Sequence, residues 1–184
     1  MELSTNALSV LKMAEKLKEE ERKEVIASLL DQLHSNQPKG TALCNAVMRI
    51  WATPAFEAVA FRKFGRTVEV YLRQRSLDDT AYPGQWHVPG SLFRSGETKI
   101  HVEKRLESEF GTPIQRSTFV SNAIISEQRG TVHSMIFLVL LADNPRIDSQ
   151  HRWFDVSEMP ENTVKHHRET IIPMAEETYR KLRR

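Results

Sequence analysis

The chain holds 184 residues, with 26 Lys and Arg against 24 Asp and Glu. That length suits one ordinary domain plus an appendage, and a net charge of +2 is too small to argue for a nucleic-acid partner. No window approaches the roughly 18 apolar residues that span a bilayer, and no basic region, apolar core and cleavage site open the chain, so the expectation is a cytoplasmic protein with no membrane partner. The single cysteine, Cys44, has no disulfide partner within the chain and reads as a small buried thiol.

Residues 1 to 36 lack Gly and Pro, and Leu8, Leu11, Met13, Ala14 and Leu17, then Val25, Ile26, Leu29, Leu30 and Leu33, recur at helical spacing. The charged run KEEERKE between them predicts a bend near Lys18 to Glu20, hence a helical hairpin with Ser4 or Thr5 as its first cap. Its apolar stripe needs a partner surface, either the main domain or the same segment in a homodimer. SNQPKGT, Ser35 to Thr41, reads as a linker. The expected division is a helical segment 1–37, a linker and short element 38–54, and a main domain 55–184.

Ala42 to Trp51 fits a short helix or a strand, ending before Pro54. Phe56 to Arg62 and Thr67 to Arg75 read as strands joined by a turn at Lys63–Arg66. Alternation along the second predicts Val68, Val70 and Leu72 inside, with Glu69, Tyr71 and Arg73 more exposed. Pro83-Gly84 and Pro89-Gly90 mark turns, and a loop ending at Gly96-Glu97 leads into a helix that stops at Gly111. At about 100° per residue, Val102, Leu106 and Phe110 form an apolar stripe of that helix, flanked by a face carrying His101, Arg105, Ser108 and Glu109. Glu103 and Glu107 read as surface charges. Thr118–Ser126 and Val132–Leu141 predict a second strand pair, with MIFLVLL buried on both faces. HRWFDVSEMPEN predicts a short strand and turn, and a last helix follows with Ile171, Ala175, Tyr179 and Leu182 on one face and Pro173 as its kink or start. His166 and His167 read as solvated, and Trp86 and Trp153 as core or rim aromatics.

From about Ala55 onward the order of elements, with VYLRQR, PGQWHVPGS, GET, the acidic helix, EFG and RWFDVSEMPEN, resembles the Nudix hydrolase superfamily. The resemblance implies an α/β/α sandwich with a mixed sheet, preceded here by the helical hairpin. It also implies a signature G-x5-E-x7-R-E-U-x-E-E-x-G-U that holds Mg²⁺ or Mn²⁺ against a nucleotide-linked diphosphate. Aligned on Gly111, the signature puts Lys104 on its Arg, and Arg105, Ser108 and Glu109 on its three helical acids. Gly90 then falls on the first Gly, and Glu97 comes one place late; anchored on Glu97 instead, the signature puts Ser91 on its first Gly and Arg105 on its Arg, shifts the helix end by one residue and again leaves Glu109 as the sole matched acid.

Under this resemblance Glu97 and Glu109 are the candidate catalytic carboxylates, and Glu109, Glu97 and Glu127 the candidate metal ligands, with His101 beside them. Arg62, Arg73, Arg75 and Arg105 are the candidate contacts to a phosphorylated small molecule, because guanidinium groups pair with phosphate through two hydrogen bonds. Arg in place of an acid both removes a ligand and repels an ion. Two functions follow as expectations. One is a Nudix-type hydrolase of a nucleotide-linked diphosphate with a rearranged acid set; the other is a non-catalytic binding or regulatory module for the same class of ligand.

Overall fold

The N-terminal spacing yields two helices, α1 (Thr5–Ala14) and α2 (Glu19–Asp31). The Ser4 hydroxyl caps α1 by accepting the Ala7 N–H at 3.3 Å, and Glu21 accepts the Lys18 N–H at 2.8 Å at the start of α2. Glu19, Glu20 and Glu21 place negative charge on the first turn of α2, the end where unpaired N–H groups favour it. The bend expected near Lys18 is therefore where the chain changes helix. This computed structural model describes residues 4–31, 46, 47, 49–127 and 130–183. The linker Ser35–Thr41 and Cys44 lie outside them, while 46, 47, 49 and 50 are helical, the first of the two alternatives for that piece.

The chain divides into two compact units, Met1–Lys39 and Gly40–Arg184. In the second, seven strands form one mixed sheet: β1 (Thr53–Phe64), β2 (Thr67–Gln74), β3 (Trp86–His87), β4 (Gly90–Leu92), β5 (Ile114–Glu127), β6 (Gly130–Leu141) and β7 (His151–Asp155). The order is β3-β2-β1-β6-β5, with β4 on β1 and β7 on β2. Among the described strand-to-strand pairings β1–β6 alone is parallel, and an isolated parallel bridge joins Trp86 to Thr163. Gly65, at φ 59°, makes the tight turn between β1 and β2 that closes the hairpin at Phe64↔Thr67.

Two helices cover the sheet, α3 (Lys99–Phe110) and α4 (Ile172–Leu182). Strand alternation sorts the core into two layers. Phe56, Ala58, Ala60, Tyr71, Phe137 and Val139 pack on Val102, Leu106 and Phe110 of α3. Val59, Val70, Leu72, Ile125 and Ile136 pack with Ile171, Ile172 and Ala175 at α4. The predicted stripe of α3 is thus its buried face, each member fully covered. Because both faces of β2 are covered, Tyr71 is buried rather than exposed, and its hydroxyl donates to the Arg146 carbonyl at 2.8 Å. Burial pushes that phenol up to about 12.

Gly111 ends α3 in the left-handed region at φ 71°, and its N–H reaches the Glu107 carbonyl at 2.8 Å. A Cβ there would lie 3.0 Å from that of Arg146, so glycine is needed for space as well as for φ. Pro173 stands at the start of α4, after a π-helical turn over His167–Ile171. Leu182 of the expected apolar face is exposed, while Ile171, Ala175 and Tyr179 are buried.

Truncating Leu106 to Ala should cost roughly 2–5 kcal/mol, the usual loss when a buried Leu leaves a cavity. Gly111→Ala should cost about 1–2 kcal/mol from the left-handed backbone alone. Urea unfolding of the full chain measures both; a Gly111→Ala variant as stable as the parent would remove the crowding argument at Arg146.

Candidate functional site

The loop before α3 positions the first carboxylate. Glu97 N–H bonds the Arg94 carbonyl at 3.1 Å, the Arg94 N–H is accepted by Glu97 Oε2 at 2.8 Å, and Gly96 turns between them at φ 77°. The helix starts at Thr98, whose N–H is accepted by Nδ1 of His101 at 3.0 Å. His101 therefore does the work of the Glu or Gln in a capping box and is committed to the helix end. Ser108 is exposed and donates to the Arg105 carbonyl at 2.7 Å.

Arg105 dominates this end of α3. Its Nε donates to Ser91 Oγ at 3.1 Å, and Nη2 donates to the Leu92 carbonyl at 2.9 Å and to Glu97 Oε2 at 3.1 Å. Its Nη1 donates to Glu97 Oε1. This bidentate hydrogen bonding holds the Glu97 carboxyl below the usual range.

One turn further along α3, Glu109 meets Arg73 of β2, with Nη1 2.9 Å from Oε2. The approach is close enough for an ion pair but lies off the line of a hydrogen bond, which leaves the buried Oε2 without one. Arg73 and Arg75 follow Tyr71 at period two, and Arg62 follows Phe56, Ala58 and Ala60, so all three leave the sheet on the α3 side. Arg62 Nε bonds Glu69 Oε2 at 2.5 Å, and its guanidinium lies over Trp153, 4.7 Å from the ring centre. Arg75 holds Asp79 Oδ2 through Nε at 2.9 Å and Nη2 at 2.8 Å. Burial opposes ionisation of Asp79, but the Tyr82 and Ala81 N–H groups and Arg75 outweigh it and bring that carboxyl down to about 2. His87, opposite Arg73 in the β2–β3 ladder, is buried and held well below its ordinary value by that burial and by the charges of Arg75 and Arg73. It is uncharged at neutral pH.

The structure thus brings Glu97, Arg105, Glu109 and Arg73 into one row along α3, with Arg62 and Arg75 on the same side of the sheet. Glu127 stands apart. It shares the α4-side alternation of β5 with Ile125, and its carboxylate lies 3.2 Å from His166 Nε2. His167 is buried and its Nδ1 accepts the Val88 N–H at 3.2 Å, so the expectation of two solvated histidines is wrong. His167 opens a π-helical turn, which α-helical spacing does not anticipate. Glu103 and Glu107 are not plain surface charges either: Glu103 bonds Lys99 and Ser117, and Glu107 accepts the Ile114 N–H at 3.0 Å, tying α3 to β5.

Sequence reasoning missed Glu57. It is buried on β1, 3.3 Å from Ser134 Oγ, and a Cβ on Gly90 would collide with its carboxylate. The available signal was an acid inside the otherwise apolar FEAVAF. A cavity of about 410 Å³ lies at the opposite end of β2, among Arg66, Asp155, Glu176 and Arg180, away from the row on α3.

The residues present do not fit the Mg²⁺ or Mn²⁺ that the resemblance implies. Among the described residues no three His, Cys, Asp or Glu side chains converge on a point. Both oxygens of Glu97 are taken by Arg105, Glu109 faces Arg73, and Glu127 is on the other side of the sheet. A hard dication needs several oxygen ligands free of a competing cation.

No protein-family model matches the chain, and no curated protein matches it in sequence. Solved structures match it in shape. NrtR of Shewanella oneidensis superposes with a TM-score of 0.58 at 18% identity, over 70% of this chain and 64% of that one, so the chain spans a little under two thirds of NrtR. The Nudix domain of the same protein, complexed with ADP ribose, superposes at 0.55 and 16% identity over 85% of this chain and 97% of that one. A MutT protein from Methanosarcina mazei Go1 gives 0.54 and 18% over 69% and 95%. No helix among the described residues is long and apolar enough to cross a membrane. What these structures share with this chain is the fold alone, a mixed sheet with helices flanking it: the chain has the Nudix fold.

Proposed function

We propose that the Nudix-fold unit binds a phosphorylated small molecule of the nucleotide-linked diphosphate class on the α3 side of β2, with Arg73 as its phosphate contact. The observation that carries this reading is how the arginines spend their donors. Arg62, Arg75 and Arg105 each hydrogen-bond a carboxylate within the protein. Arg73, with 39% of its side chain exposed, makes its one ion pair through Nη1, and among the described residues its guanidinium donates no hydrogen bond. Its remaining donors suit a phosphate, which takes two parallel N–H bonds from a guanidinium. Arg75 beside it is already paired with Asp79, and His87 opposite it is held uncharged by its burial. The ADP-ribose complex of the NrtR Nudix domain supports the ligand class.

A second reading, hydrolysis of the same class of ligand, is favoured by Glu109. Its carboxylate lies beside Arg73 through Oε2 with 22% of the side chain exposed, so the other oxygen is the one that can take a proton from an attacking water.

Calorimetric titration of the full chain with ADP-ribose in EDTA should show binding, and Arg73→Ala should weaken it roughly 10- to 100-fold, the usual loss for a charge-assisted hydrogen bond. Binding left unchanged by Arg73→Ala would sink the assignment of the phosphate contact. If the protein also turns the ligand over, ³¹P NMR should show that Glu109→Gln stops the reaction; turnover indifferent to that substitution rules out the hydrolytic role of Glu109.

A further inference from the structure

The sheet ends differently on its two sides. At one end lies β3, 2 residues long, with the short β4 and β7 attached to β1 and β2. At the other lies β5, 14 residues long, which pairs with β6 and with no other strand among the described residues. A terminal strand of that length presents a row of backbone N–H and C=O groups that another extended chain satisfies as a ladder. We infer that the free edge of β5 is a self-association surface, on which two copies of this chain pair their β5 strands antiparallel about a two-fold axis normal to the sheet.

The side chains of this strand lack the usual devices that keep an edge single. Ser117–Ser126, reading STFVSNAIIS, holds no charged residue and no Pro. Both irregularities of the strand, between Ile114 and Arg116 and between Phe119 and Ser121, fall in its first half. From Ser121 to Glu127 the pairing with β6 is regular, so the outer edge of that stretch is a regular template as well.

The same features select the occupant. A neutral run meets its own copy without like-charge repulsion, whereas an acidic or basic peptide finds no counter-charge in it. Ile124 is 77% exposed and Phe119 52% exposed. Phe119 packs edge-on to Phe137 on the α3 side, and Ile124 points away from its neighbour Ile125, which faces α4, so both lie on the α3 side. A two-fold axis normal to the sheet keeps that side common to both copies. Centred near Ile124, it brings the two Ile124 side chains together as one cross-strand pair. A single strand pair covers less than the roughly 800 Å² per partner of a stable complex, so association follows concentration.

The inference rests on β5 alone and is independent of any ligand. Sedimentation velocity of the full chain, from micromolar to near-millimolar concentration, should show the mass rise towards two chains. Ile124→Lys, which sets like charges against each other at the axis, should weaken association roughly tenfold or more at unchanged Tm. Leu29→Glu, in the exposed apolar face of α2, should leave association as it is. Amide hydrogen exchange of the parent needs no variant: protection should rise with concentration within Ser121–Glu127. A single-chain mass at every concentration overturns the inference, as does exchange in that stretch that ignores concentration. So does association that survives Ile124→Lys, or that Leu29→Glu abolishes and thereby assigns to the helical segment.

Discussion

Burial of Val102, Leu106 and Phe110 against the sheet sets the rotation of α3, and nearly everything at the site follows from that rotation. With three apolar residues on one stripe, the residues about 100° away along the helix are committed to the neighbouring face. Arg105 is thereby aimed at the loop from β4, and Glu109 at β2. The helix is held at its far end by a second set of contacts. The Arg146 N–H bonds the Phe110 carbonyl at 2.7 Å, and the Arg146 carbonyl accepts the Tyr71 hydroxyl. A helix so fixed at both ends cannot turn to offer its acids elsewhere.

Within that frame the charged groups neutralise each other locally. Each candidate phosphate-binding arginine on the α3 side of the sheet has its own acid: Arg62 with Glu69, Arg73 with Glu109, Arg75 with Asp79 and Arg105 with Glu97. Partly buried charges need such partners, since desolvation of an unpaired ion costs more than the pair returns. The pairs differ in what they leave over. Arg105 is saturated, whereas Arg73 meets its acid obliquely and keeps donors in reserve. That difference in geometry, and not the number of arginines, is what singles out Arg73 in the proposed reading.

The other face of the sheet holds a polar group of a different kind. Glu57 is buried beneath Gly90, and Glu127, His166 and His167 are packed inward at the start of α4. Gly90 is where the resemblance places the first glycine of the signature, and here it makes room for a carboxylate of β1. Close approach, not backbone freedom, is what requires glycine at this point.

The long strands, the hairpin at Gly65, the limits of α3 and its buried stripe were legible in the sequence because local rules govern them: period two, period 3.6, a left-handed cap and a turn residue; the short β3 and β4, in a stretch that reads as turns and loop, were not. What the sequence could not contain was pairing across elements. That Glu97 closes on Arg105, that Glu109 meets Arg73, and that Glu127 lies on the opposite face depend on strand order and on which side of the sheet each helix lies. Tyr71 and His167 show the same limit, since a position that looks polar or exposed by spacing is buried once other elements pack over it. Local periodicity alone determined the scaffold; only the tertiary structure decided where its charges went, because an ion pair is set by distance in space and not by distance along the chain.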